Sequence, residues 1–125
     1  MSTFRKGSAL VVIVALVALA AAVSAFGGSA QQTATTTVAV TAGKPSELRY
    51  TLSRKTILKG IGVFKVTNKG KLGHNFKVNG KKTVVLGAGK TATLRVTFTK
   101  AGKYPYVCTV IGHAAAGMKG VLVVK

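Results

Sequence analysis

The chain is short of nearly every side chain that makes or breaks bonds. Its 125 residues include one acidic side chain, Glu47, one cysteine, Cys108, and two histidines, His74 and His113. A lone carboxylate leaves no general acid–base pair and no hydrolytic triad within one subunit. A lone cysteine cannot close an internal disulfide; it is a free thiol, half of an intermolecular bridge or a metal ligand. Outside the N-terminal apolar run, no ten-residue window carries a helical apolar stripe. No internal repeat is visible, and no aromatic-rich strand of the kind that stacks bases.

Against the single acid stand 19 Lys and Arg residues, for a formal net charge of +18. A field of that sign draws anionic partners and repels cationic ones. Nucleic acid is not the expected partner, because the basic residues are spread over nearly every strand and turn without one dense cluster, and because the N-terminus reads as an export signal. Arg5 and Lys6 form a basic head, Ser8 to Phe26 is uncharged, and small-residue cleavage patterns end at Ala25 and Ala30. The alternative is an uncleaved membrane tether through residues 8–26, since the run nears the ~18 apolar residues needed to span a bilayer. No cysteine follows the run directly, which excludes a lipoprotein anchor. The expected organisation is residues 1–30 as signal segment and short linker and residues 31–125 as one domain, in a periplasmic or other extracytoplasmic location. Exported proteins seldom leave a thiol unprotected, and ligation to a metal is one way to keep it.

The domain reads as all-β. Gln31–Thr37 is a polar entry, predicted to be a linker or a frayed start. Short strand-forming runs are separated by turn residues such as Gly43-Lys44-Pro45, Asn68-Lys69-Gly70, Asn79-Gly80, Gly87-Ala88-Gly89 and Ala101-Gly102-Lys103. That spacing predicts a sandwich or small barrel. In Thr91–Thr99, Leu94, Val96 and Phe98 alternate with Thr93, Arg95 and Thr97, the pattern of a half-buried antiparallel strand. Ile61–Val66 is more uniformly apolar and reads as central. Asn79-Gly80 suits a tight turn between Phe76–Val78 and a returning strand at Thr83–Leu86. Val121–Val124 reads as the last buried strand.

The chemistry concentrates in Cys108-x4-His113-x4-Met118, with His74 upstream in Gly73-His74-Asn75-Phe76. One thiolate, two imidazoles and one thioether make the ligand set of a mononuclear blue-copper site: the thiolate suits Cu(I), imidazoles suit either state, and a weak axial thioether disfavours tetragonal Cu(II). Parity supports convergence. His74 shares parity with Phe76 and Val78, and Cys108 with Tyr106, so both ligands face inward if those neighbours do. Gly112 and Gly117 bound the loop and permit the turns that aim His113 and Met118. Each residue taken singly has a plainer reading, as a structural histidine, a small buried hydrophobe or core filler. The only cysteine and both histidines falling in one compatible pattern, with a methionine at a fitting offset, outweighs those readings. Zinc would also accept the two imidazoles and the thiolate.

Gly73-His74-Asn75 together with Tyr106-x-Cys108-x4-His113-x4-Met118 resembles the cupredoxin family of small blue-copper proteins, which includes plastocyanin, azurin and auracyanin; the likeness covers roughly residues 36–125. It implies a Greek-key β-sandwich holding one type 1 copper that cycles between Cu(I) and Cu(II). His74, Cys108 and His113 would be the strong equatorial ligands and Met118 the weak axial one. Asn75 and Thr109 match the pair that ties the two ligand loops together near the thiolate, and Gly73 matches a position whose carbonyl lies on the other axial side in azurin.

The expected function is an exported shuttle of single electrons, not an enzyme. Copper enzymes of this kind resemble tandem cupredoxin domains with extra histidine-rich sites, whereas one site here uses both histidines; a binuclear copper-A centre needs two cysteines. A copper carrier or storage module is the alternative, and a metal-free adhesion domain would make the Cys–His–Met spacing accidental. Around His113 the loop is small and uncharged, through Ile111, Gly112 and Ala114–Ala116. That suggests an apolar doorway ringed by lysines such as Lys71 and Lys119. The expected partners are an acidic redox protein or an anionic membrane or cell-wall surface, and the expected state is a monomer.

Overall fold

A computed structural model describes Gly27 and residues 32–125. The signal segment and its cleavage patterns lie outside the described residues. Among those described, the strands in chain order are β1 (Thr35–Ala42), β2 (Tyr50–Leu52), β3 (Thr56–Ile57), β4 (Gly60–Asn68), β5 (Lys77–Val78), β6 (Lys81–Lys82), β7 (Thr91–Phe98), β8 (Gly102–Val107) and β9 (Lys119–Val124). They form two sheets, β2-β1-β4-β7 and β3-β9-β8-β5-β6. No described helix is long and apolar enough to cross a membrane.

The alternation written in the sequence decides which side of each strand is buried. In β7, Val96 and Phe98 are buried while Thr93, Arg95 and Thr97 face out. β4 is central as predicted, parallel to β1 and antiparallel to β7. Its buried face carries Phe64 and Val66. Phe64 meets Phe76 with ring centroids 5.3 Å apart, and Phe76 meets Tyr106 at 5.4 Å, so one aromatic stack bridges the sheets. Burial of aromatic rings of this size dominates a small core.

Three local expectations need correction. The polar entry is shorter than predicted, because Thr35–Thr37 already pair with Ile61–Val63. The chain returning from Asn79-Gly80 is Lys81–Lys82, not Thr83–Leu86. The turn itself is as predicted, with φ of 49° at Asn79 and 75° at Gly80, the left-handed pair a two-residue hairpin needs. The ladder stops because the Thr83 hydroxyl accepts from the Phe76 amide at 3.2 Å, a side chain standing in for a strand partner. Val84 and Val85 then turn outward. In β9, only Leu122 and Val124 are buried and Val121 is exposed, so the β-branched run alternates rather than lying wholly inside.

Candidate metal centre

The register of the second sheet brings the ligands together. β5 pairs with β8 through Lys77–Val107 and Val78–Tyr106. Continuing that antiparallel register places Phe76 opposite Cys108 and Asn75 opposite Thr109. β8 pairs with β9 ending at Val107–Lys119, and one step further the Cys108 amide donates to the Met118 carbonyl at 3.1 Å. Cys108 thus sits where the central strand runs out, between the segment leading from His74 and the strand that follows Met118. His74 is fixed by a two-bond bridge to Leu86, at 3.1 and 2.7 Å.

The intervening loop folds back on itself. The His113 amide donates to the Val110 carbonyl and the Met118 amide to the His113 carbonyl, both at 3.0 Å, so two candidate ligands are tied by one backbone hydrogen bond. Gly112 and Gly117 have φ of 84° and 109°, where a side chain would be strained. A Cβ at Gly117 would also overlap the Arg49 guanidinium. That group lies on the loop and donates to the Ala116 carbonyl at 2.8 Å.

The donor atoms converge. His74 Nδ1 and His113 Nδ1 are 3.2 Å apart, and Cys108 Sγ is 3.6 Å from His113 Nδ1. All three donor atoms lie within 4.8 Å of one another. Ordinary metal–imidazole bonds of about 2.0–2.1 Å and metal–thiolate bonds of about 2.3 Å, placed end to end, exceed the 3.2 and 3.6 Å separations, so one ion can sit between the His113 nitrogen and each of the other two donors. His74, Cys108 and Met118 are buried, and His113 is partly exposed. Met118 packs with Cys108 and Ala42 in a small cluster of its own. The sequence-predicted residues are therefore all at one end of the sandwich. Burial holds the His113 imidazole below its ordinary value, with the neighbouring His74 ring adding to the effect.

Asn75 and Thr109 make a reciprocal pair. The Asn75 amide donates to Thr109 Oγ1 at 2.6 Å, and the Thr109 backbone amide donates to Asn75 Oδ1 at 2.7 Å. Three supports escape a reading of the ligand motifs alone, and all come from Glu47–Tyr50, the end of the β1–β2 connection and the first residue of β2. The Glu47 carboxylate accepts from the backbone amides of Lys71 and Leu72 and faces His74 Nε2 at 2.8 Å. Those two amides first, then His74, hold its carboxyl down to about 2. Arg49 grips the opposite loop. The Tyr50 hydroxyl donates to the Asn75 carbonyl, and burial first, then the nearby Cys108, holds its phenol well above the ordinary value. The one signal in the sequence was that Glu47 is the only acid among 19 cationic side chains.

A family profile described as a cupredoxin-like domain matches residues 9–124. The chain belongs to the cupredoxin-like family. Among solved structures, this cupredoxin is similar to rusticyanin from Thiobacillus ferrooxidans, at 25% identity and a TM-score of 0.63, over 73% of this chain and 77% of that one. It is similar to auracyanin B at 24% identity and a TM-score of 0.62, over 76% and 91% of the two chains. Auracyanin A of Chloroflexus aurantiacus, described as a "blue" copper protein, aligns at 20% identity and a TM-score of 0.60, over 74% of this chain and all of that one, a likeness of fold. A search of curated protein sequences finds no match. His74, Cys108, His113 and Met118 form the pattern of a type 1 copper site in this cupredoxin.

Proposed function

We propose that the protein is an exported electron carrier with one type 1 copper and no enzymatic activity of its own. The observation that carries this reading is the convergence of His74 Nδ1, His113 Nδ1 and Cys108 Sγ in a folded pocket, with only His113 partly open to solvent. Copper bound there supplies a one-electron couple. The protein holds the donors in place from strand ends and a hydrogen-bonded loop, so little rearrangement accompanies a change of charge. Burial of His74, Cys108 and Met118 supports a fixed site over the transport or storage of exchangeable metal.

The His113 ring edge is the exit this arrangement favours. Its loop exposes Ile111 almost fully, at 97%. Segments flanking His74 expose Leu72, Val84 and Val85. An apolar contact surface on a strongly cationic body suits transient docking of an acidic redox protein, or residence against an anionic membrane or cell-wall surface, by one monomer.

Adding Cu(II) to the purified protein tests the site. The expected result is an intense blue or green thiolate-to-copper band that is absent from Cys108→Ala. Reversible one-electron voltammetry with copper retained in both states separates carrier from storage module; loss of metal on reduction would favour storage. Exchange rates with an acidic partner should fall as ionic strength rises, and a flat dependence would remove the steering part of the proposal. Sequencing the mature N-terminus tests export, and retention of Met1 or Ser2 would argue against cleavage.

A further inference from the structure

We infer that Glu47 is a positioning residue for the metal centre: its carboxylate sets the tautomer and orientation of His74, and its charge lowers the reduction potential of the bound metal. The inference rests on the copper reading above and adds a role that neither the ligand motif nor the fold assigns.

The geometry is that of a fixed acceptor. Both carboxylate oxygens are engaged by backbone: Oε2 takes the Lys71 amide at 2.9 Å, and Oε1 takes the Leu72 amide at 2.8 Å. These amides belong to the segment that leads into His74, so the carboxylate and the ring it faces are tied to the same piece of chain. Oε1 then lies 2.8 Å from His74 Nε2. An ionised carboxylate only accepts hydrogen bonds, so Nε2 must carry the proton and donate it. The lone pair of the ring is thereby placed on Nδ1, the atom 3.2 Å from His113 Nδ1 in the ligand cluster. With His74 Nδ1 unprotonated, a hydrogen bond between the two rings would have His113 Nδ1 as its donor.

A second observation shows that the fold makes room for this pair. A Cβ added at Gly70 would collide with Glu47 Oε1 and stand 3.0 Å from His74 Nε2. The carboxylate–imidazole contact fills the space that any other residue at position 70 would need. A histidine ligand whose far nitrogen donates to a carboxylate is oriented by it and made more basic. A more electron-rich ligand, and a fixed negative charge one ring away, favour the higher-charged metal.

The test uses the full chain and two variants. Glu47→Gln keeps the shape and one acceptor but removes the charge; Glu47→Ala removes both. In the metal-free protein, nitrogen NMR of the His74 ring should show a single Nε2–H tautomer, turning to a mixture in Glu47→Ala. In the copper form, Cu(II) affinity should fall roughly 10–100-fold for Glu47→Ala. If Glu47→Gln weakens Cu(II) about tenfold more than Cu(I), its potential rises by about 59 mV. Should Glu47→Ala fail to fold, Glu47→Gln carries the potential test alone. An unchanged potential in Glu47→Gln, or an unchanged tautomer in a folded Glu47→Ala, would overturn the assignment. Absence of a blue band in the wild type would overturn the copper reading instead, leaving the metal-free NMR to judge the His74 tautomer.

Discussion

Replacing Asn75 with alanine removes both hydrogen bonds that lock the His74 segment to the Cys108 segment. They measure 2.6 and 2.7 Å, and Asn75 is 2% exposed, so neither partner is readily exchanged for water. At about 0.5–1.5 kcal/mol net for each bond, Asn75→Ala should cost about 1–3 kcal/mol. Thr109→Val removes only the hydroxyl acceptor and leaves the backbone amide bonded to Asn75 Oδ1. It should therefore cost about half as much, on the order of 1 kcal/mol. Once Asn75 is alanine, the Thr109 hydroxyl has nothing left to lose, so the double variant should be no less stable than Asn75→Ala alone. The shortfall from additivity, about 1 kcal/mol, is the coupling of one bond. Urea unfolding of the metal-free protein measures all four corners of the cycle. Additive losses would refute the reasoning, because the two side chains would then act through separate contacts.

Other substitutions probe the frame and the loop. Phe64→Ala, in the stack between the sheets, should cost about 3–5 kcal/mol in the same unfolding assay. A loss below about 1 kcal/mol would mean that the aromatic bridge is not central to the core. Gly112→Ala and Gly117→Ala both meet the strain of a positive φ, of order 1–3 kcal/mol. Only Gly117→Ala also displaces Arg49, so it should be the more damaging of the two by thermal unfolding. Equal effects would argue that Arg49 yields freely. Arg49→Ala should speed hydrogen exchange at the Ala116 and Gly117 amides while leaving β4 protected. Unchanged exchange in the loop would show that its internal bonds suffice.

What could be read from the sequence follows the range of the interactions involved. The alternation in Thr91–Thr99 and the parity of His74 with Phe76 are local signals, and both survive folding because side-chain direction along a strand has a period of two. The ligand set is legible because so few other residues could compete for the role. Expectations failed where a side chain replaced a backbone partner, as Thr83 does to end the β5–β6 ladder. They failed too where a strand pairs with a distant one, as β1 does with β4 at its very first residues. Apart from the rarity of its one acid, the segment Glu47–Tyr50 was silent for the same reason. Glu47 and His74 are 27 positions apart, and Arg49 and Ala116 are 67 apart. Only the packed structure shows that one short connection touches both ligand-bearing segments.

Engaging Glu47 with His74 and the Lys71 and Leu72 amides has a consequence for how copies of the protein meet each other. The only negatively charged side chain stands beside the metal centre, one-third exposed, and is a single charge against 19 cationic ones, so no other acidic side chain offsets the rest of the exterior. In the electron-carrier role proposed above, two copies approaching through their His113 faces would repel each other. Electron self-exchange should accordingly be slow in dilute buffer and quicken as salt screens the repulsion, opposite in sign to the salt response with an acidic partner. Placing the single acid at the site would thus bias traffic outward: in that role an electron is expected to pass more readily to a partner of unlike charge than to a neighbouring copy of the same molecule.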